Sequence, residues 1–362
     1  MDEVFARAIS RREICGGVVL VGRGEEVLWE KAYGLRACVP DPEPATVDTV
    51  YDLASLTKVV ATTSAVMWLA ERGMVALSDP VSLHIPEWRS DAAGQTQVTL
   101  RMLLTHTSGL PPFEKYYLNT PPEGAMAAIV RDIARMPLQA APGAAFIYSD
   151  LGFILLGEIV RRVSGVPLDA FCRTNLFEPL GMVDTGFCPP AVADRIAPTE
   201  WDADSGAPAG RRMLRGVVHD GNARLVGGVS GHAGLFSTAR DLARFCRMLL
   251  CGGELDGVRV LSRVAVETMT RDQPMPPGGI RRGLGWDIES SYSNPRGDLL
   301  PGGFGHTGWT GTSIWVVPEE RLYIITLTNR VHPDGSGAAG SLRAPIANLT
   351  AAWLVEPSTP TV

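Results

Sequence analysis

Apolar positions recur along this chain in two rhythms. Residues 2–12 follow a helical spacing, and so does the stretch from Ser55 to about Arg72. In the second stretch Val59, Val66, Leu69 and Ala70 share a face, with Val60 and Met67 beside it, although Thr62 and Thr63 interrupt the stripe. Gly16–Val21 and Val27–Ala32 instead read as strands around an Arg23-Gly24-Glu25-Glu26 turn, and Tyr51–Leu53 as a short extended piece. From Asp79 to about Asp272 helices dominate. Leu100–His106, Ala125–Arg135, Leu151–Val163 and Thr238–Leu250 are the clearest, separated by connections such as Pro111-Pro112 and Pro142-Gly143. Strand character returns in Gly283–Glu289, Thr312–Val317 and Leu322–Thr328, and Leu342–Leu354 closes the chain as a helix.

Strands at both ends with helices between them predict an α+β fold. One antiparallel sheet, flanked by the N- and C-terminal helices, is built from residues 1–78 and 278–362. A mainly helical lobe, 79–277, is inserted into it, and the cleft between the two is the natural active site. The length, 362 residues, is long for one core and fits two lobes.

Composition narrows the function classes. The net charge of −6 and the lack of any run of five basic residues argue against a nucleic-acid partner. No stretch approaches the ~18 consecutive apolar residues of a membrane span. The opening MDEVFARAIS has no basic segment followed by an apolar one, so the expectation is no signal peptide and a cytoplasmic location. The six cysteines, Cys15, Cys38, Cys172, Cys188, Cys246 and Cys251, form no CxxC pair and read as free buried thiols.

The basic residues carry the first chemical signal. Arginine occurs thirty times and lysine three times, at 31, 58 and 115. Arginine stays protonated, whereas a buried lysine can exchange its proton. Lys58 stands three residues after Ser55, so both side chains project from one helix face. A neutral Lys58 can accept the serine proton; a charged one can lower the pKa of a neighbouring base. Tyr148-Ser149-Asp150 precedes the apolar run LGFILLGEIV. Tyr148 is a candidate phenolate base and Asp150 can orient Lys58, although an acid in a first helical turn is favourable without catalysis.

Three tripeptides compete as a third element. His106-Thr107-Ser108 ends a helix, His232 in Gly231-His232-Ala233 lacks a following hydroxyl, and His306-Thr307-Gly308 opens a strand-rich stretch. Position favours the last. A sheet-edge strand there can present a backbone N–H to an acyl oxygen, and Gly308 permits close approach. The N–H groups of Ser55 and Trp309 are the expected oxyanion pair. His106 and His232 are read as structural, hydrogen-bonded within turns. Phe113, Tyr116 and Tyr117 form an aromatic loop that either contacts an acyl group or packs the loop down. His219 and Asp220 lie in a polar segment that meets substrate, pairs on a metal (rare for two adjacent residues) or, as the default reading, is a structural turn. Trp315 reads as core.

In this order and spread, the three motifs resemble the serine beta-lactamase-like superfamily: class C beta-lactamases, DD-peptidases and family VIII carboxylesterases. The phrases LLTHTSGLP, YSDLGFILLGEIV, GHAGLFSTARDLARF and GHTGWTGTS extend the resemblance over nearly the whole chain. It implies Ser55 as nucleophile, Lys58 and Tyr148 as the base system, and Asp150, His306, Thr307 and Gly308 against the substrate. No metal or cofactor is implied. Two departures matter. Position 150 is Asp where class C enzymes have Asn, and position 306 is His where they have Lys. A histidine with pKa about 6.5 is mostly neutral at pH 7. The expectation is therefore a carboxylesterase acting on small neutral esters. A DD-peptidase or D-amino-acid amidase, a beta-lactamase, a transacylase and a non-catalytic acyl-ligand sensor are the alternatives.

Overall fold

The computed structural model describes residues 1–88, 97–189, 194–202, 213–278, 280–290 and 295–354. β1 (Gly16–Arg23) and β2 (Glu26–Ala37) form a long hairpin, and β3 (Glu43–Pro44) follows. β4 (Tyr51–Asp52), β5 (Gly186–Phe187) and β6 (Leu235–Ser237) make a small separate sheet in the order β4-β6-β5. β7 (Glu254–Leu255) pairs with β8 (Val258–Arg259). β9 (Arg281–Arg282), β10 (Asp287–Glu289), β11 (Phe304–Thr307), β12 (Ser313–Val317) and β13 (Leu322–Thr328) complete the large sheet, ordered β3-β2-β1-β13-β12-β11-β10-β9. Every pairing in it is antiparallel, and β1 beside β13 joins the two ends of the chain, with Gly17 opposite Thr328 and Arg23 opposite Leu322.

Strand alternation explains the layers. Val19 and Val21 of β1, Trp315 and Val317 of β12 and Ile324 of β13 pack on one face. They meet Val4, Phe5 and Ala8 of the helix Asp2–Ser10 and Leu342, Ile346 and Ala351 of the helix Gly340–Leu354. Val18, Leu20, Ile314, Val316, Ile325 and Leu327 point the other way into the main core, which continues into the helices of the middle of the chain. The central strands are thus buried on both faces, which is why they read as near-continuous apolar runs.

Several boundaries move. The Ser55–Arg72 stretch is a wide π-type turn, Lys58–Thr63, running into the α-helix Ser64–Glu71. Gly283–Glu289 is not one strand. It is a tight hairpin between β9 and β10, because Gly285 takes φ +76° and Gly283 N–H donates to Trp286 O. The cysteine expectation is corrected too. Cys15 and Cys38 form a disulfide at the open end of the β1–β2 hairpin, and of the free thiols Cys172 and Cys246 are buried while Cys188 and Cys251 are exposed.

Candidate active site

Ser55 sits in the turn between β4 and the Lys58 helix. Ala54 before it takes φ +46°, a backbone conformation that costs a non-glycine residue about 1–2 kcal/mol. Asp52 holds it there, accepting the Ala54 N–H at 2.8 Å with Oδ1 and the His219 N–H at 2.7 Å with Oδ2. Burial raises the Asp52 pKa against these two bonds. The Thr310 and Thr312 hydroxyls donate to Asp52 O and Leu53 O, tying this turn to the end of β11. Asp52 carries no pattern in the sequence and was not singled out there.

Lys58 is completely buried, and its ammonium reaches three oxygens: Ser55 Oγ at 2.9 Å, Asp150 Oδ1 at 2.7 Å and the main-chain oxygen of His232 at 3.0 Å. Burial alone pulls its pKa down. The Asp150 carboxylate and the Tyr148 phenol outweigh that and hold it above the usual 10.5, so the group is a cation. Asp150 opens the helix Asp150–Ser164, capped by Ser149, whose Oγ accepts the Gly152 N–H. That helix packs against the Lys58–Thr63 turn, which brings Tyr148, Asp150 and Lys58 together. The ammonium lies 5.2 Å from the Tyr148 ring centre.

His232 supplies the third acceptor from a polar cluster. Its Nδ1 meets Ser230 Oγ at 2.9 Å and its Nε2 meets Asp220 Oδ1 at 2.8 Å. Burial pushes Asp220 up, but His232, the Ala223 N–H and Lys58 prevail and hold its carboxyl far below the usual range. Asp150, Asp220 and His232 lie close enough to share an ion, yet this set already faces a cation, the Lys58 ammonium. His232 is buried and bonded within its turn, as expected, but its carbonyl also joins the site.

β11 is an inner strand rather than the expected sheet edge. Its pairing with β10 is confined to Gly305 opposite Asp287, so residues 306–309 run past their neighbour beside the serine. A Cβ on Gly308 would collide with Thr312 Oγ1 and Leu53 O, so the close approach does require glycine. His306 Nδ1 donates to Thr307 O at 2.8 Å, and burial, with Arg282 and Lys58 nearby, holds its pKa well below the usual 6.5. It is neutral, as its residue type suggested.

Two cavities open on the serine. One, of about 580 Å³, is lined by Ser55, Tyr148, His306, Thr307, Gly308 and Trp309 and walled by Arg282, Arg330 and Arg343. The other, of about 610 Å³, is shared by Ser55, Tyr148 and Trp309 with Phe113, Tyr117, Asp150, His219, Asp220 and His232. Tyr116 belongs to neither. It is buried and its hydroxyl donates to Asp132 Oδ2 at 2.8 Å, so the pocket expectation for it is corrected. His219 also pairs with Glu200 at 2.9 Å. Trp309, 67% exposed, separates the cavities, with the Arg330 guanidinium 4.4 Å from its ring centre. Trp315 is core, as expected. The arginines were missed because they are distant in sequence and lie in no motif. The lysine that the third motif lacks has left a wall that is nonetheless cationic.

The family model Beta-lactamase matches residues 1–348, and the chain belongs to that family. It is a hydrolase of the serine beta-lactamase-like superfamily, with the beta-lactamase/transpeptidase-like fold. A putative D-alanyl-D-alanine carboxypeptidase of Salmonella heidelberg (strain SL476) is 32% identical over 342 residues, covering 87% of this chain and 78% of that protein. The octameric penicillin-binding protein homologue from Pyrococcus abyssi superposes with a TM-score of 0.75 at 25% identity, over 96% of this chain and 76% of that one. EstCE1, a hydrolase with promiscuous acyltransferase activity, gives a TM-score of 0.75 at 23% identity, over 97% of each chain, and attests the fold alone. No helix among the described residues is long and apolar enough to cross a membrane.

Proposed function

We propose that the protein is a carboxylesterase that forms an acyl-enzyme on Ser55 and acts on small esters. The observation that carries this reading is the Lys58 ammonium on Ser55 Oγ, held charged by Asp150. A lysine with a raised pKa is a poor proton acceptor, which favours Tyr148 as the base. Tyr148, as its phenolate, takes the Ser55 proton while Lys58 stabilises the oxygen left behind. Ser55 Oγ bonds to the carbonyl carbon, and the oxyanion accepts from the N–H groups of Ser55 and Trp309. The bond to the alcohol oxygen then breaks, and that oxygen takes the proton from Tyr148. Water repeats the sequence on the acyl-enzyme and releases the acid.

Asp150 favours an ester over an amide. Its carboxylate is committed to Lys58 and has no N–H to offer a substrate amide carbonyl. Against p-nitrophenyl butyrate, Ser55→Ala is expected to lose at least ~10³-fold in kcat/KM. Parental turnover in that variant rules the reading out.

A second reading, a carboxypeptidase of the kind named for the Salmonella relative, is favoured by one observation. Arg330 and Arg343 wall the first cavity, and among the described residues both donate to main-chain oxygens rather than to an acid. Burial pulls the Arg343 pKa down to about 10, which leaves a cation short of a counter-ion. A substrate carboxylate fits there. Faster cleavage of a peptide ending in D-Ala-D-Ala than of its C-terminal amide supports this reading, and equal rates contradict it. We also propose a cytoplasmic location, although the Cys15–Cys38 disulfide is more usual in an oxidising compartment.

A further inference from the structure

His106 has more to do than close a turn. It follows the helix Leu100–Leu104 with φ +59°, a left-handed conformation that suits glycine, asparagine and histidine better than most residues. From there it grips both neighbours of Tyr148. Its carbonyl oxygen accepts the N–H of Ile147 at 2.9 Å, and its Nδ1 accepts the N–H of Ser149 at 3.0 Å. Its imidazole lies over the Tyr148 ring itself, centroids 4.3 Å apart and planes tilted by 31°. Phe153, at 5.1 Å, and Phe146, at 6.0 Å, are the further rings about the imidazole.

The hydrogen bonds fix the state of the ring. An Nδ1 that accepts from a backbone amide is unprotonated, so the neutral ring carries its proton on Nε2. Burial, with Arg282 and Lys58 close by, holds the pKa well below 6.5 and keeps the ring neutral. Nε2 is buried and has no hydrogen-bond partner among the described residues. A histidine retained for packing alone is poorly suited here, since an orphaned buried donor costs about 1–3 kcal/mol. The one hydrogen bond the ring makes among the described residues, Nδ1 to the Ser149 N–H, ends on the segment carrying Tyr148.

We infer that His106 is a positioning residue that fixes the Tyr148 hydroxyl against Ser55, through the two backbone bonds and the ring stack. The inference rests on the reading of Tyr148 as the base. A base displaced by even about 1 Å can lose on the order of 10²-fold in rate, so a rigid cradle has kinetic value.

The test is a cycle of variants on p-nitrophenyl butyrate. His106→Gly keeps the left-handed backbone and the carbonyl but removes the ring. It is expected to lower kcat about 100-fold with KM within about threefold of the parent. His106→Asn tolerates the same backbone and places Oδ1 where Nδ1 stood, and it is expected to recover at least about tenfold of that loss. Each change is then repeated in Tyr148→Phe, where the hydroxyl to be positioned is gone. There both His106 substitutions are expected to cost less than about twofold in kcat. A purely structural role predicts the same loss in either background, and that result overturns the inference. So does a folded His106→Gly with parental kcat, or an Asn variant no better than Gly. If His106→Gly does not fold, His106→Asn in the two backgrounds makes the same comparison. Parental activity in Tyr148→Phe alone removes the base reading and the inference with it. A dead Tyr148→Phe beside fully active His106 variants removes the inference only.

Discussion

At the scale of single residues, the departure at position 150 changes the chemistry of the site. An asparagine there offers an amide; this chain offers a carboxylate, and Lys58 takes it at 2.7 Å. Asp150→Asn removes the strongest influence holding the Lys58 pKa up and leaves burial to pull it down. In the parent, Lys58 stays charged from about pH 6 to 9. In Asp150→Asn it is expected to lose its proton within that window. The pH profile of kcat/KM then gains an alkaline limb that the parent lacks, with activity about 10²-fold lower on that side. An unchanged profile contradicts the charged-lysine account. Ser55, Lys58 and Tyr148 were legible because an i, i+3 pair at a helix start and a tyrosine before an apolar helix are local patterns. Asp52, the His232 carbonyl and Arg343 were not. Their roles depend on main-chain acceptors and on contacts between distant segments. For Tyr116 the sequence left contact with an acyl group and packing of the loop open, and packing between remote segments decides for the second.

At the scale of elements, the site depends on three segments pressed together at glycines. The β11–β12 turn passes the segment before Ser55 so closely that a Cβ on Gly308 would strike Leu53 O. Gly231 passes the helix Asp150–Ser164 just as closely, against Phe153 O, and its own oxygen accepts from Thr62 Oγ1 at 2.7 Å. Gly231→Ala must therefore move the bend that delivers the His232 carbonyl to Lys58. Overpacking of this kind costs about 1–3 kcal/mol. The variant is expected to melt several degrees lower and to lose at least about tenfold in kcat; a parental melt and rate contradict the role given to this contact. The strands and long helices were predicted from alternation and helical periodicity, and nearly all are present within a few residues. The hairpin at 281–289 was missed because a left-handed Gly285 breaks a run whose composition still looks like one strand. The inner position of β11 was missed because sheet order is set by pairing between remote segments.

At the scale of the whole molecule, charge is distributed unevenly about the serine. Arg282, Arg330 and Arg343 wall one cavity with a single acid, Asp287, among its described lining residues, while Asp150, Glu200 and Asp220 line the other with Arg224. A net charge of −6 conceals that division. Away from the cleft, Glu87 and Glu158 clasp Arg162 and tie the helix Asp150–Ser164 to the segment Pro86–Trp88. The Arg162 bond lowers the Glu87 pKa from 4.5 to about 2. A depressed carboxylate stabilises the fold above its unfolded pKa and loses that contribution as pH falls through the folded one. The melting temperature is therefore expected to drop between pH 4.5 and about 2, less steeply in Glu87→Gln, as followed by circular dichroism. Reduction of Cys15–Cys38 should lower stability by about 3 kcal/mol, read as a lower melting point that Cys38→Ser reproduces without reductant.

All of these readings converge on a covalent bond to one oxygen. The most direct measurement is rapid acid quenching during turnover of p-nitrophenyl butyrate, followed by intact-mass and peptide mass spectrometry. The predicted result is a single butyryl adduct on the peptide carrying Ser55, absent from Ser55→Ala. Butyryl groups on another residue, or full turnover by Ser55→Ala, would contradict the account at its centre.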